Sequence, residues 1–84
     1  MNRKWKIVIH EPPWEFAESL RKRDRDRLRS AFAALKAHPF AETDAEVQTP
    51  NDRTHSIRNL QGFRIRYWLD LLVAEVVIVN IERA

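Results

Sequence analysis

Four consecutive β-branched residues, Val76-Val77-Ile78-Val79, restrict the fold more than any other feature of this chain. Successive side chains of a strand point to opposite faces of its sheet, so a run that is apolar throughout needs cover on both faces. We therefore predict a strand over residues 75–82 that is central in its sheet and covered on both sides for much of its length. A chain of 84 residues has material for one such core, which predicts a single domain over residues 1–84.

Three further segments have the composition of strands, with β-branched or aromatic residues bounded by turn residues. They cover residues 4–10, 54–60 and 63–70. Gly62, the only glycine of the chain, fits the hairpin turn between the last two. The next turn, over residues 70–74, is less typical because its centre is apolar.

Two helices are predicted between the first and second strands. Apolar residues recur there at helical spacing in two groups, Trp14, Ala17 and Leu20, and then Leu28, Ala31, Phe32 and Leu35. Continuing one stripe through both groups would bury Arg21 and Asp24, and charged groups are rarely buried unless paired. We therefore predict helices over residues 13–22 and 25–38, with Asp24 as the N-cap of the second. A single bent helix is the alternative, since no glycine or proline marks the turn.

The resulting element order is β-α-α-β-β-β. It predicts an α+β fold in which a small, mostly antiparallel sheet packs against a two-helix hairpin. Residues 39–53 are predicted to form a loop, with turn residues at Pro50-Asn51-Asp52. Trp5 and Trp14 are expected to anchor the core.

Composition excludes several kinds of chemistry. The chain has no cysteine, and its three histidines lack the spacing of metal ligands, so neither a metal nor a cofactor is expected. A single glycine excludes a glycine-rich phosphate loop, and no serine lies in a nucleophile motif. The apolar runs are too short for a signal peptide or a membrane span, so we expect a cytoplasmic protein without membrane contact.

The distribution of charge says more than the net charge of +3. Residues 21–29 carry six of the fifteen basic side chains, and residues 39–52 carry acidic groups and no basic one. The first stretch is either a solvated helical hairpin with internal ion pairs or a surface that docks on RNA or a ribosome. From Arg53 onward all basic residues are arginines, whose planar fork binds phosphate or carboxylate through two hydrogen bonds. This pattern indicates a nucleic acid or an acidic protein as partner.

Alternation places the C-terminal arginines on one predicted surface. If Phe63 and Ile65 point into the core, then Arg64, Arg66 and Trp68 point outward. If Ile57 also points inward, Arg58 joins this outer row. Strict alternation would put Arg83 with Val77, Val79 and Ile81, so Arg83 reaches the surface only through a local bend.

A surface of outward-pointing arginines could bind a phosphodiester and promote its cleavage. Arginines can hold a phosphodiester and stabilise the extra negative charge of its transition state. His55 or His10 can transfer a proton near neutral pH, and Trp68 or Tyr67 can stack on a base. The alternative is a solvated sheet face on which Trp68 completes a core and His10 is a polar residue at a strand end.

Family resemblance adds to this interpretation. The segment Gly62-Phe63-Arg64-Ile65-Arg66-Tyr67 and the terminal Arg83 resemble the C-terminal half of the RelE/ParE toxin superfamily. The first strand at Trp5-Lys6-Ile7 and the helix end at His38-Pro39 are similar to the family as well, so the resemblance covers most of the chain.

The resemblance implies the toxin of a bacterial type II toxin–antitoxin pair, with a cognate antitoxin protein as partner. RelE-like members cut mRNA on the ribosome: the ribose 2′-OH attacks the adjacent phosphate and leaves a 2′,3′-cyclic phosphate. The resemblance places Arg58, Arg64 and Arg83 in the catalytic set, and His55 is the only local group for proton transfer. Arg66, Trp68 and Tyr67 are the predicted substrate-binding residues.

Two alternatives stay open on the same fold. ParE-like members inhibit DNA gyrase and have no nuclease chemistry, and a degenerate member would act only as a protein-interaction module. Two departures from RelE-like nucleases bear on the choice: no tyrosine or histidine follows Arg83, and Ser56 occupies the first basic position of the family pattern.

Overall fold

A computed structural model describes residues 4–50 and 53–84 of the chain. Its elements, in chain order, are β1 (Lys6–Ile9), α1 (Glu11–Ser19), α2 (Lys22–Ala37), β2 (Ala45–Gln48), β3 (Thr54–Leu60), β4 (Phe63–Asp70) and β5 (Glu75–Arg83). They build one five-stranded sheet of order β1-β5-β4-β3-β2, in which β1 runs parallel to β5 and all other pairs are antiparallel. The predicted α+β class and the order of the predicted elements are confirmed.

Strand β2 is an addition, because it lies inside the predicted loop over residues 39–53. Its four residues pair with β3, from Ala45 opposite Ile57 to Gln48 opposite Thr54. The strand is short and sits at the sheet edge, and its one strongly apolar residue, Val47, gave too weak a pattern to predict it. Of the predicted turn at residues 50–52, residues 51 and 52 lie outside the described part of the chain.

The break between the two helices is a change of backbone conformation at Leu20 and Arg21. Both residues are extended, with ψ of 148° and 161°, and the side chain of Leu20 enters the core. The two-helix prediction is therefore confirmed without a glycine or proline. Asp24 as an N-cap is wrong: Arg21 takes that position, and Asp24 lies within the first turn of α2. No helix of the described residues is long and apolar enough to cross a membrane.

Both helices pack on one face of the sheet, called the helix side below, and the opposite face is called the open side. The core on the helix side joins helix residues to strand residues; its fully buried members include Leu35, Phe63, Ile65, Tyr67, Val76 and Ile78. Trp5 packs against this core and meets Phe40 edge to face at 5.5 Å between ring centroids. Trp14 is not a core anchor, since it is 52% exposed on α1.

Strand β5 lies inside the sheet, between β1 and β4. Val76, Val77 and Ile78 are each at most 4% exposed, although Val77 points to the open side. The apolar run is thus buried on both faces over these three residues, as the sequence predicts. The middle strand of the sheet is β4.

The turn between β3 and β4 determines which residues of β3 face the helices. Gln61 and Gly62 form a two-residue turn with φ of 54° and 85°, as a type I′ hairpin requires. Leu60 therefore pairs directly with Phe63. Because direct partners share a face, and Phe63 is in the core, Leu60 points to the helix side.

Counting back from Leu60 reverses the predicted orientation of β3. Arg58 pairs with Ile65 and lies on the helix side, whereas Ile57 pairs with Arg66 and lies on the open side. The prediction that Arg58 shares a face with Arg64 is therefore wrong. It assumed that Ile57 faces the helices, but the two-residue hairpin requires the opposite register.

A β-bulge interrupts the pairing of β4 with β5. Arg66 pairs with Asn80 and Tyr67 with Ile78, so Val79 is an extra residue in β5. A bulge of this kind shifts alternation by one residue and bends the strand.

The bulge decides the side of Arg83. Before it, Val77 pairs with Trp68 on the open side; beyond it, Ile81 pairs with Ile65 and Arg83 with Phe63 on the helix side. The expected local bend in β5 is present. The prediction required this bend to bring Arg83 onto the face of Arg64. The bend instead places Arg83 on the helix side, whereas Arg64 lies on the open side.

Candidate functional site

On the helix side, Arg83 is held by a carboxylate of α2. One Nη of Arg83 donates to Oδ2 of Asp24 at 2.9 Å, and Arg27 donates to Oδ1 of the same group at 3.2 Å. The hydrogen bond from Arg83 is the main cause that lowers the pKa of Asp24, and the charges of Arg83, Arg27 and Arg23 act in the same direction. Arg83 is thus bound to the chain's own anion.

Arg27 extends this contact to the β3–β4 turn. Its second Nη donates to the backbone oxygen of Gln61 at 3.2 Å. The amide of Ala84 also donates to the oxygen of Gly62, at 2.9 Å. These bonds fasten the start of α2 to the turn and the turn to the end of β5, so the cluster around Asp24 has a structural role.

Arg58 is also engaged on the helix side. Its guanidinium donates to the backbone oxygen of His38, the C-cap of α2, at 3.4 Å. A cation at the last carbonyl groups of a helix is favourable for electrostatic reasons. His38 is thus a helix-end residue, and one donor of Arg58 is directed toward it.

Tyr67 belongs to the core and is 1% exposed, so its ring cannot stack on a ligand here. This corrects its assignment as a substrate-binding residue. Within the described residues its buried hydroxyl has no hydrogen-bond partner. Burial raises the pKa of this hydroxyl, and the nearby charge of Arg58 opposes the rise.

On the open side, Arg64 is loosely paired. Its Nε lies 3.7 Å from Oε1 of Glu82, and the two side chains are 41% and 58% exposed. An exposed ion pair at this distance is weak and screened by salt. Arg64 is therefore accessible to a competing anion.

Arg66 and His55 form a tighter contact on the same side. Nε of Arg66 donates to Nδ1 of His55 at 2.9 Å. Partial burial is the main cause that lowers the pKa of His55, and the charges of Arg66, Arg53 and His10 add to it. The imidazole is therefore mostly neutral at neutral pH, with Nδ1 as acceptor and the proton on Nε2.

Trp68 lies further along β4 on the open side, beside Arg53. The guanidinium carbon of Arg53 is 3.7 Å from the centroid of the indole ring. A cation stacked on an indole is worth about 0.5–1 kcal/mol at an exposed site. Trp68 is half-buried, so part of its ring surface is open to a ligand.

The structure thus divides the residues that the sequence predicted as one site. Arg64, Arg66, His55 and Trp68 share the open side, whereas Arg58, Arg83 and Tyr67 lie on the helix side. Two further contributors, Arg53 and Asp24, were not predicted from the sequence. Arg53 precedes β3 in the predicted loop, and Asp24 is distant in sequence from Arg83, so no local pattern linked either residue to its partner. Among the described residues, no cluster of three or more potential metal ligands is present.

This geometry defines a class of fold: an α-helical hairpin on one face of a five-stranded mixed sheet whose other face is open. No protein-family model matches the sequence, and no curated protein does. Among the solved structures that share the fold are chains of two toxin–antitoxin complexes.

The first is a chain of the RelE–RelB complex of the archaeon Pyrococcus horikoshii, with a TM-score of 0.70, 17% identity and 96% of each chain covered. The second is a chain of the RelBE2 toxin–antitoxin complex of Mycobacterium tuberculosis, with a TM-score of 0.69 and 15% identity. This second match covers 98% of this chain and 100% of the chain from M. tuberculosis. The RelE-like fold predicted from the sequence is confirmed.

Proposed function

We propose that the protein is the toxin of a toxin–antitoxin pair and that a cognate antitoxin neutralises it. The observation that carries this proposal is the fold, which nearly the whole chain shares with chains of two toxin–antitoxin complexes. The basic surface fits it, since inhibition of growth by a small toxin requires binding to an essential nucleic acid or enzyme.

Within this role we propose cleavage of mRNA on the ribosome. The support is the open side, where Arg64 and Arg66 can bind phosphate and Trp68 can stack on a base. The site differs from the one that resemblance implies, because Arg58 and Arg83 are directed to His38 and Asp24 on the other face. The reaction would use the open-side residues alone.

The separation of the arginines between the two faces of the sheet favours a second function. A phosphate clamp with arginines on opposite faces of a sheet cannot close on one phosphodiester, which favours a toxin that binds its target without cutting RNA. DNA gyrase is the candidate target of such a toxin.

Induced expression with pulse labelling separates the two functions. We expect growth to stop and protein synthesis to fall before DNA synthesis. A fall in DNA synthesis first, together with loss of supercoiling activity when purified gyrase is incubated with the protein, would establish the second function instead. Growth that continues at full induction would refute the toxin role itself.

Arg64→Ala tests the site. We expect it to abolish growth inhibition and to leave the fold intact, since Arg64 is directed away from the core and its pair with Glu82 is weak. Lys36→Ala, which removes an exposed basic group of α2 outside residues 21–29, is the matched control and should stay toxic. A fully toxic Arg64→Ala variant would remove Arg64 from the site.

A further inference from the structure

His10 has no role in the site described so far, although it continues the open row of β1. In that strand Ile7 and Ile9 pack toward the core and Lys6 and Val8 are exposed, so alternation directs the next side chain to the open side. The amide of His10 donates to the backbone oxygen of Ile78 at 3.1 Å, which fixes this position beside β5.

His10 and Arg66 lie on one line across the sheet, and Arg66 contacts His55. Ile9 pairs with Ile78, so His10 lies opposite the bulged residues that follow Ile78, and Asn80 of that bulge pairs with Arg66. The backbones of His10 and Arg66 are therefore separated by two strand spacings, about 10 Å, and the Arg66 side chain reaches His55, which lies nearer to Trp68 along β3.

The bulge lies between the two histidines. Val79 is the extra residue of β5 at this point, and Arg66 stands opposite the bulge on β4. Bulges are frequent beside active sites, where they redirect side chains and bend the strand. The space between the histidines is therefore an irregular part of the open side, with a guanidinium in it.

All the charges that act on His55 in this region are basic. They belong to Arg66, Arg53 and His10, and each lowers the pKa of His55. Basic groups that repel one another on a partly solvated surface gain stability when an anion binds between them. A phosphate group has enough oxygen atoms to accept hydrogen bonds from an arginine and two imidazoles at once.

We propose that His10, Arg66 and His55 form one phosphodiester-binding site across the bulge, in which His10 is a catalytic residue of RNA cleavage. This assignment rests on the proposed ribonuclease function. His10 supplies the second proton-transfer group that the predicted site lacks.

The reaction at this site is a transesterification. His55 takes the proton of the ribose 2′-OH, and the 2′ oxygen forms a bond to phosphorus. The bond from phosphorus to the 5′ oxygen breaks, and His10 gives a proton to that oxygen. The products are a 2′,3′-cyclic phosphate and a 5′-hydroxyl, and the two histidines regain their starting protonation by exchange with water.

Arg66 couples binding to this chemistry. In the free protein its Nε occupies the lone pair of His55 Nδ1. When Arg66 turns to a phosphate oxygen, that lone pair becomes available to accept the 2′-OH proton. The site therefore has an active base only when the phosphate is in place.

The first experiment measures binding without cleavage. A 2′-O-methyl RNA tetranucleotide, which lacks the nucleophile, is titrated into the purified protein while the histidine ring resonances are followed by NMR. We expect the signals of His10 and His55 to shift together and that of His38, at the end of α2, to stay in place. If the His10 signal does not shift, the shared site is refuted, and this result does not depend on whether the protein cleaves mRNA on the ribosome.

The second experiment measures cleavage of mRNA on ribosomes by wild type, His10→Gln and His38→Gln. His10 makes no side-chain capping bond to α1, so the substitution spares the helix start. We expect His10→Gln to lower the rate about 100-fold or more and to remove one limb of the pH–rate profile, while His38→Gln keeps both. Wild-type cleavage by His10→Gln would overturn the catalytic role. Absence of cleavage by the wild type would refute the ribonuclease function and that role together, and the NMR result would still decide whether the anion site exists.

Discussion

The two sides of the sheet hold their arginines in different ways. On the helix side, Arg83 and Arg58 bind groups of the chain itself, a carboxylate of α2 and the carbonyl at its end. On the open side, Arg64 has a weak exposed partner and Arg66 a neutral imidazole. The difference teaches that arginines from one short stretch of sequence can serve two purposes: one set fastens helices to the sheet, and the other remains available for an anion.

The largest expected difference between the two sides is in packing, and a matched pair of isoleucines tests it. Ile65→Ala empties a fully buried position on the helix side and should lower the free energy of unfolding by about 2–5 kcal/mol. Ile57 is 6% exposed on the open side, where solvent and neighbouring side chains can fill the space, so Ile57→Ala should cost about 2 kcal/mol or less. Urea unfolding measures both, and equal losses would show that the open side is packed as tightly as the core.

Gly62→Ala breaks the junction that fixes the register of β3. The φ of Gly62 is 85°, and an added Cβ would lie 2.6 Å from Nη2 of Arg27. We expect a loss of about 1–2 kcal/mol from the left-handed backbone alone, measured by thermal and urea unfolding. Gln61→Gly, at the other positive φ of the turn, is the control and should cost little. A stable Gly62→Ala protein would mean that the turn tolerates another geometry.

Asp24→Asn tests the charged contact that holds Arg83 on the helix side. A carboxylate whose folded pKa is lowered adds stability above its unfolded pKa, and that stability is lost as the pH falls through the folded value. The variant should therefore be less stable than wild type at neutral pH, with a difference that disappears in strong acid and shrinks in high salt. Asp26→Asn, whose partner Arg29 lies at 4.0 Å on the same helix, should match wild type. An identical loss in both variants would contradict a specific role for Asp24.

His55→Gln should give the smallest effect, confined to mildly acidic pH. Because the pKa of His55 is lowered in the folded protein, the unfolded chain takes up a proton first as the pH falls below the ordinary value of 6.5. Wild-type stability should then decrease over this window, and His55→Gln should decrease less. Chemical unfolding at a series of pH values gives both slopes, with His38→Gln as control. A variant with the wild-type slope would show that His55 is not in the environment described here.

The features that could be predicted from the sequence are those that a local residue pattern determines. Alternation within β4 correctly separated Phe63 and Ile65 from Arg64 and Arg66, because a single strand obeys a fixed two-residue period. The helical hairpin followed from the conflict between an apolar stripe and the charges at Arg21 and Asp24. These features depend on neighbours a few residues apart, which the sequence contains explicitly.

What could not be predicted depended on registers between strands. Arg58 and Arg83 were placed on the wrong face, the first by a two-residue hairpin and the second by a bulge at Val79. Leu60-Gln61-Gly62-Phe63 held the signal for the hairpin, since two apolar residues flank a two-residue turn that ends in glycine. Nothing comparable marks Val79, because the three residues before it are all apolar and show no alternation that would locate an inserted residue.

By itself the sequence determined the class of fold, the succession of strands and helices, and the basic character of the C-terminal half. Each of these follows from periodicity and composition, which act over short distances along the chain. Only the tertiary structure decided which arginines share a face, which of them are bound by α2, and that His10 lies across the bulge from Arg66. One inserted residue reverses the faces of everything beyond it, so the grouping of side chains from different strands exists only once the strands are paired.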